Sequence, residues 1–355
     1  MANTILNMFS ATDPAFSNIT LSGLVNTNFP YIPGYLTDLN LTGAPQGMTT
    51  LSLAFEEASA GIRMISATPR GAPPSEIAHV KGALRSLSAY HFAREITVNA
   101  DELLGVRARG SMNPQTLQNL LTERTDGPVG VKMQLALTRE HWMLGLVQGR
   151  VYDADGVTVL WDYFDWTGNA PSAPANLVIS GQSGSTSNFV QFGLMLKRRM
   201  VLALNGFPVP ASARMIVLCS DGMFDAIATS AEVREARKAG AFGSADAASA
   251  ISLANPFAFI DYAGISWVNY RGTVDGLVAI PADQGIAFMV GVPGLYQEWY
   301  APADTFEDVT AIGLPYYLLN DPNRKNTDKR AVFELQSNPL LANLRPAACI
   351  PVTKS

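Results

Sequence analysis

The chain predicts an α+β protein with one long buried helix, an extended N-terminal region and an inserted α/β unit. Three observations carry this. Residues 129–148 repeat apolar side chains at helical spacing on two stripes, Val131, Leu135, Trp142 and Leu146 on one and Met133, Leu137, Leu144 and Val147 on the other. Residues 188–240 read helix, apolar strand, helix, helix. The remainder is short strands separated by Gly and Pro.

Taken in order, residues 1–60 are rich in Asn, Thr, Ser, Gly and Pro, which suits an extended arm. Phe9, Phe16, Phe29, Tyr31 and Tyr35 make that arm too apolar to float free, so it must lie on its own core or on a neighbour. Residues 49–66 read as a strand pair with a turn near Ala58 and Gly61. A Pro/Gly/basic loop with Arg70, Lys81 and Arg85 follows, and 89–99 return as a strand. The whole is a long hairpin with a polar, basic tip, and a loop of that length is commonly functional. Asn113 and Pro114 open a short helix by capping.

The helix over 129–148 is apolar on two sides and should run through the middle as a spine. Asp155-Gly156 then predicts a tight hairpin turn, with Val157, Val159, Trp161 and Tyr163 on one face of the second strand. A helix over 188–204 buries Phe189, Phe192, Leu196 and Met200, and carries the cations Lys197, Arg198 and Arg199. RMIVLC (214–219) is a buried strand, a helix starts near Gly222, and Thr229 with Glu232 predicts a capping box for another.

Composition bounds the function. The 355 residues are 48% hydrophobic but only 15% charged, with a formal net charge of −5. So few charges rule out an intrinsically disordered protein, and the near-neutral total rules out a generally basic nucleic-acid coat. The charge is unevenly spread. Residues 1–60 hold four acids and no base, 61–150 eleven bases and seven acids, and 151–355 fourteen bases and nineteen acids. An acidic arm could therefore meet a basic loop, on a neighbouring copy if not its own. Cys219 and Cys349 offer no disulfide framework, the N-terminus has no signal-peptide pattern, and no stretch suits a membrane helix. A reducing, cytoplasm-like compartment is expected.

Catalytic motifs are weak. RMIVLCSDGMFDA resembles a metal-site segment of PP2C-type phosphatases, in which Asp221 and Asp225 would coordinate a hard cation. The downstream echo GSADAAS has Ala247 where that motif needs Asn, and no Asp-Gly-His-Gly element exists upstream. A helix-capping role for Asp221 is the plainer explanation. Gly181-Gln182-Ser183-Gly184-Ser185 lacks the last Gly of a nucleophile elbow. His79, His91 and His141 form no metal-ligand spacing. No catalytic, cofactor or metal site is expected.

Several segments together resemble a known family. They are ITVNADELLGVR (96–107), LVQGRVYDADG (146–156), VLCSDGMFDA (217–226), NYRGTVDG (269–276), the run IPADQGIAFMVGVPGLYQEWYAPADTFEDV (280–309), IGLPYY (312–317) and ELQSNPL (334–340). In order and spacing they look like the lambda-type major capsid protein E family of tailed bacteriophages, which has the Hong Kong 97-type fold. The resemblance implies an N-arm (1–45), an E-loop (46–98), a peripheral domain with the spine helix (99–185), an inserted axial domain (186–320) and C-terminal strands returning to the peripheral domain (321–355). It also implies self-assembly as hexamers and pentamers into an icosahedral shell enclosing double-stranded DNA. Implied partners are scaffolding and portal proteins and possibly a decoration protein, with no membrane, in a virion assembled in the host cytoplasm. The chain starts directly in the arm, so scaffolding would come from another protein. Some relatives cross-link an E-loop lysine; Lys81 is the only lysine in this loop, and no partner for it is evident, so no cross-link is expected.

Overall fold

The apolar, β-branched run at 214–219 takes the place its composition demands, at the centre of the largest sheet. The structure is a computed structural model that describes residues 34–58, 82–103, 124–126, 130–179, 189–238, 257–270, 280–320 and 330–355. The chain enters through a one-turn helix α1 (Tyr35–Asp38) and a short strand β1 (Gln46–Gly47). Strands β2 (Ser52–Ala58) and β3 (Gly82–Ser88) follow, then β4 (Phe92–Asn99). The spine is helix α2 (Val131–Gln148), ended by Gly149 at φ 85°, where the Phe164 ring fills the space a side chain would need. Next come β5 (Arg150–Tyr152), β6 (Val159–Asp162), helix α3 (Tyr163–Thr167) and β7 (Ala175–Leu177).

Helix α4 (Phe189–Leu204) leads into β8 (Arg214–Cys219), helices α5 (Asp221–Thr229) and α6 (Ala231–Lys238), then β9 (Phe259–Tyr262) and β10 (Ile265–Asn269). Strands β11 (Gln284–Val290), β12 (Tyr296–Tyr300), β13 (Tyr317–Asn320), β14 (Arg330–Ser337), β15 (Pro339–Asn343) and β16 (Ile350–Lys354) complete it.

Six strands form the main sheet in the order β7-β16-β11-β8-β10-β9, with β8 and β10 parallel. Helix α4 packs on it through Phe189 and Phe192, whose rings lie 5.8 and 6.0 Å from Trp267. The order β13-β14-β4 makes an antiparallel sheet and β1-β12-β15 a second three-stranded one. The spine serves two cores. Val131 and Leu135, in its first turns, join Ile96, Leu318, Phe333 and Leu335 on the β4–β14 sheet. Trp142, Met143, Leu144, Leu146 and Val147, in its last turns, join the main core with Val217, Leu218 and Phe288. The two cores thus divide the helix along its length, since Val131 and Leu135 share a stripe with Trp142 and Leu146.

Three expectations are corrected. β2, the described part of 49–66, pairs with β3 rather than closing a hairpin that β4 completes, with Ser52 opposite Ser88 and Ala58 opposite Gly82, and 59–66 lie outside the described residues. Arg85 thus lies on a strand, and β4 belongs to a different sheet from the hairpin. The face expected on the strand after Asp155-Gly156 does not form. Val157 and Val159 are exposed, Trp161 is buried, and Tyr163 already begins α3. The turn itself is a six-residue loop, closed by Asp153 N–H to the Thr158 carbonyl and organised by the Asp155 carboxylate, which accepts from Val157 N, Thr158 N and the Thr158 hydroxyl. The Thr229/Glu232 capping box is absent because Ser230 sits before α6 and its hydroxyl takes the Val233 N–H, while Glu232 accepts from the Tyr262 hydroxyl. The residues after 321 contribute to three sheets: β14 pairs with β4, β15 with β12, and β16 lies between β7 and β11 in the main sheet.

The β9–β10 hairpin turns on two residues, Ala263 (φ 57°) and Gly264 (φ 75°). Positive φ at both is the geometry that favours Asn-Gly, and an alanine there carries ~1 kcal/mol of steric cost. Ala263→Asn should stabilise the subunit by ~0.5–1 kcal/mol, read as a higher urea midpoint of the disassembled protein. An unchanged or lower midpoint would count against this reading of the turn.

Candidate assembly site

Two buried carboxylates beside the spine organise this part of the described fold. Glu140, on α2, is buried and accepts from Leu36 N (3.0 Å), Thr37 N (2.9 Å), the Thr37 hydroxyl and the Tyr270 hydroxyl (3.0 Å). The N–H groups of a helix's first turn need an acceptor, usually the N-cap side chain. Gly34 has none, so Glu140 caps α1 from across the fold. It can do so only because Gly34 is glycine, since a Cβ there would fall 2.4 Å from Glu140 Oε2. The chain is thereby pinned to the spine where the arm meets the described fold.

Glu298, on β12, is the second carboxylate. Arg139 grips it in bidentate fashion, Nε to Oε1 at 3.0 Å and Nη2 to Oε2 at 2.7 Å. The Thr42 hydroxyl donates to Oε2 at 2.8 Å and the Tyr300 hydroxyl to Oε1 at 2.6 Å. Burial alone would raise the Glu298 pKa; the Arg139 hydrogen bonds and charge, then Tyr300 and Thr42, outweigh it and hold it below the usual glutamate value. Burial likewise works against the Arg139 charge, and Glu298 reverses that and raises its pKa. Consecutive spine residues thus hold the chain at 36–37 and at 42.

The β2–β3 ribbon leaves the body just after this tether and is aimed by aromatic packing. Phe55 meets Trp166 and Trp299 edge-on, both at 5.3 Å between centroids. Tyr90 meets Trp161 at 5.0 Å and donates to the Leu160 carbonyl, while Trp161 Nε1 donates to the Ser88 carbonyl. Arg85, expected in an open basic loop, instead donates from its guanidinium to the Trp166 carbonyl. Its charge is spent on aiming the ribbon, not on a free tip. Leu51 and Leu84 remain exposed.

The other singled-out residues scatter. Asp221 and Asp225 are exposed on α5, and among the described residues no group of three His, Cys, Asp or Glu could hold a metal ion. The phosphatase alternative gains no support. Arg94 donates to Gln134, His91 meets Asn338 at 2.8 Å and His141 meets the Tyr152 carbonyl at 3.0 Å, all structural contacts. Arg199 donates to the Ala173 carbonyl, whereas Lys197 and Arg198 are exposed. Both cysteines are buried, and burial raises their thiol pKa values, that of Cys349 to about 11. Arg63, Arg70, His79, Lys81, the Asn113-Pro114 helix, the 181–185 glycine–serine segment and GSADAAS lie outside the described residues.

One helix shared between two cores and a two-stranded ribbon beside them make up a fold that solved structures also show. The fold matches that of the capsid protein of cyanophage P-SCSP1u, with a TM-score of 0.52 at 11% identity over 92% of this chain and 90% of that one. It also matches the mature capsid of bacteriophage PhiM1, with a TM-score of 0.50 at 10% identity over 92% and 89%. This is the Hong Kong 97-type capsid fold. The model of the family "Phage major capsid protein E" matches residues 21–354, and the chain belongs to that family. A search of curated protein sequences gives no match. The protein is a phage capsid component with a structural role in the virion.

Two outcomes test the tether. Gly34→Ala should force Glu140 out of its cap and cost ~1–3 kcal/mol, measurable by denaturation; a change below ~0.5 kcal/mol would refute the close approach. Because the folded Glu298 pKa is depressed, its stabilisation is complete above the usual glutamate value and is lost as pH falls through the folded one. Glu298→Gln should therefore lower stability at neutral pH and flatten the melting-temperature decline between about pH 5 and 3. Parallel wild-type and variant acid limbs would show that Glu298 does not carry that sensitivity.

Proposed function

We propose that copies of this chain associate as hexamers and pentamers that close an icosahedral shell around double-stranded DNA. The observation that carries this is the β2–β3 ribbon. Among the described residues it gains no third strand; one face packs on the main core through Leu53, Phe55 and Leu87, while Leu84, and Leu51 just before β2, stay exposed. Those exposed side chains and the unpaired strand edges call for cover from another surface, and a second copy supplies it in a shell.

In this reading residues 1–45 act as the arm and 46–98 as the E-loop, with the ribbon as its stem. The peripheral domain takes 99–185, the axial domain 186–320, and 321–355 return to the peripheral side, where β16 pairs with β7. Scaffolding and portal proteins, and possibly a decoration protein, would meet the shell during assembly in the host cytoplasm. DNA would be met by non-specific contact. No helix among the described residues is long and apolar enough to cross a membrane.

Negative-stain electron microscopy of the expressed protein, alone and with its scaffold, tests the reading. Closed particles or ring-shaped capsomers are expected. A protein that stays strictly monomeric by light scattering, at every salt concentration and with scaffold present, would overturn it.

A further inference from the structure

Helix α4 is apolar on the face it should show to water. Its inward side is filled by Phe189, Phe192, Leu196 and Met200. Val190, Leu194, Val201 and Leu202 lie on the opposite side and are all exposed, Leu202 to 81%. Lys197 and Arg198 stand in the middle of this stripe, and neither forms an ion pair among the described residues. Leu194, Lys197, Arg198, Val201 and Leu202, with Asn205 and Gly206, line a groove of about 660 Å³.

Charge decides what fits there. Two α4 stripes packed about a two-fold axis would bring two pairs of cations face to face, which like-charge repulsion disfavours. The occupant should be apolar and acidic. One described segment of the same chain has that character. The loop 304–314 holds Asp304, Glu307 and Asp308 with no base, and its Phe306 side chain is fully exposed, as are Val309 and Ile312 in large part. The loop is preformed. The Thr305 hydroxyl donates to Asp308 at 2.7 Å, and Asp308 N and Val309 N both donate to the Thr305 carbonyl, a helical turn that presents Phe306 outward. Little ordering entropy is then lost on docking. The other acidic apolar tip, at Val157, is a poorer fit because its Asp155 accepts from Val157 N, Thr158 N and the Thr158 hydroxyl, whereas Glu307, beside Phe306, forms no hydrogen bond or ion pair among the described residues.

Groove and loop are both exposed in one copy, so they do not cover each other within it. We propose that the loop 304–314 of one copy seats Phe306 in the α4 groove of the next, with Glu307 facing Lys197 and Arg198. Such a contact is head-to-tail, and repeated by rotation it closes copies into a ring. The proposal rests on the capsid reading and adds to it which two surfaces meet.

Cysteine cross-linking tests it directly, because Cys219 and Cys349 are buried and silent. Mild oxidation of Leu202→Cys with Phe306→Cys should give a ladder of covalent oligomers ending at the ring size, while either single variant gives dimers at most. As a second measurement, Lys197→Glu should weaken association about tenfold, and adding Glu307→Lys in the same chain should restore it. Particles by microscopy without a ladder, a ladder only when Leu202→Cys is paired with Val157→Cys, or no rescue by the swap would each overturn the proposal and leave the capsid reading standing. Absence of any particle or capsomer would instead strike the capsid reading.

Discussion

Everything the subunit extends outward is held by what two neighbouring residues of the spine do. Arg139 and Glu140 are consecutive, so their side chains leave α2 in different directions, one toward β12 and one toward α1 and β10. Between them they hold the backbone at 36–37 and, through Glu298, the Thr42 hydroxyl. A buried ion pair adds little net stability over a well-packed apolar pair, but losing one partner is costly. The arrangement is therefore better understood as fixing direction than as adding stability. It sets the path of residues 34–42 toward the ribbon.

This division of labour extends to the aromatic residues. Trp142 serves the main core, yet it also packs on Phe92 at 4.4 Å and faces Trp161 at 6.5 Å, which in turn holds Tyr90. The ribbon's direction is thus referred back to the spine through a chain of rings. Core and projection are not separable modules here. A substitution that loosens the last turns of α2 would misdirect the ribbon as well as weaken the centre.

Much of the fold was legible because it is local. The two-stripe pattern of 131–147, the helical spacing of Phe189 through Met200 and the run at 214–219 each report their own burial within a dozen residues. The order of short motifs from 280 to 340 carried the family. The tether was not legible. Glu140 reads as an ordinary polar position on a helix, and its partners are Leu36, Thr37 and Tyr270, brought together only by the tertiary fold. Nor was the pairing of β2 with β3, since 59–66 offer apolar residues close at hand and a nearest-neighbour reading takes them. Glu232 failed as a cap for the same reason, finding Tyr262 across the sheet. Gly34 was the one available hint: a glycine just before a helix, where Ser or Asp is usual, signals that the acceptor comes from elsewhere.

The place of β16 bears on how the subunit is made. It is an interior strand, lying between β7 and β11, and Ile179 and Leu177 still exchange hydrogen bonds with Ser355. During translation β7 and β11 therefore remain open edges until residues 350–354 leave the ribosome, and open edges invite wrong pairings. Contacts so distant in sequence form late. The main sheet, on which α4 rests, is completed only after residues 350–354 have been made. Until then α4 packs on a sheet that lacks one of its interior strands, and the face it carries is not yet finished.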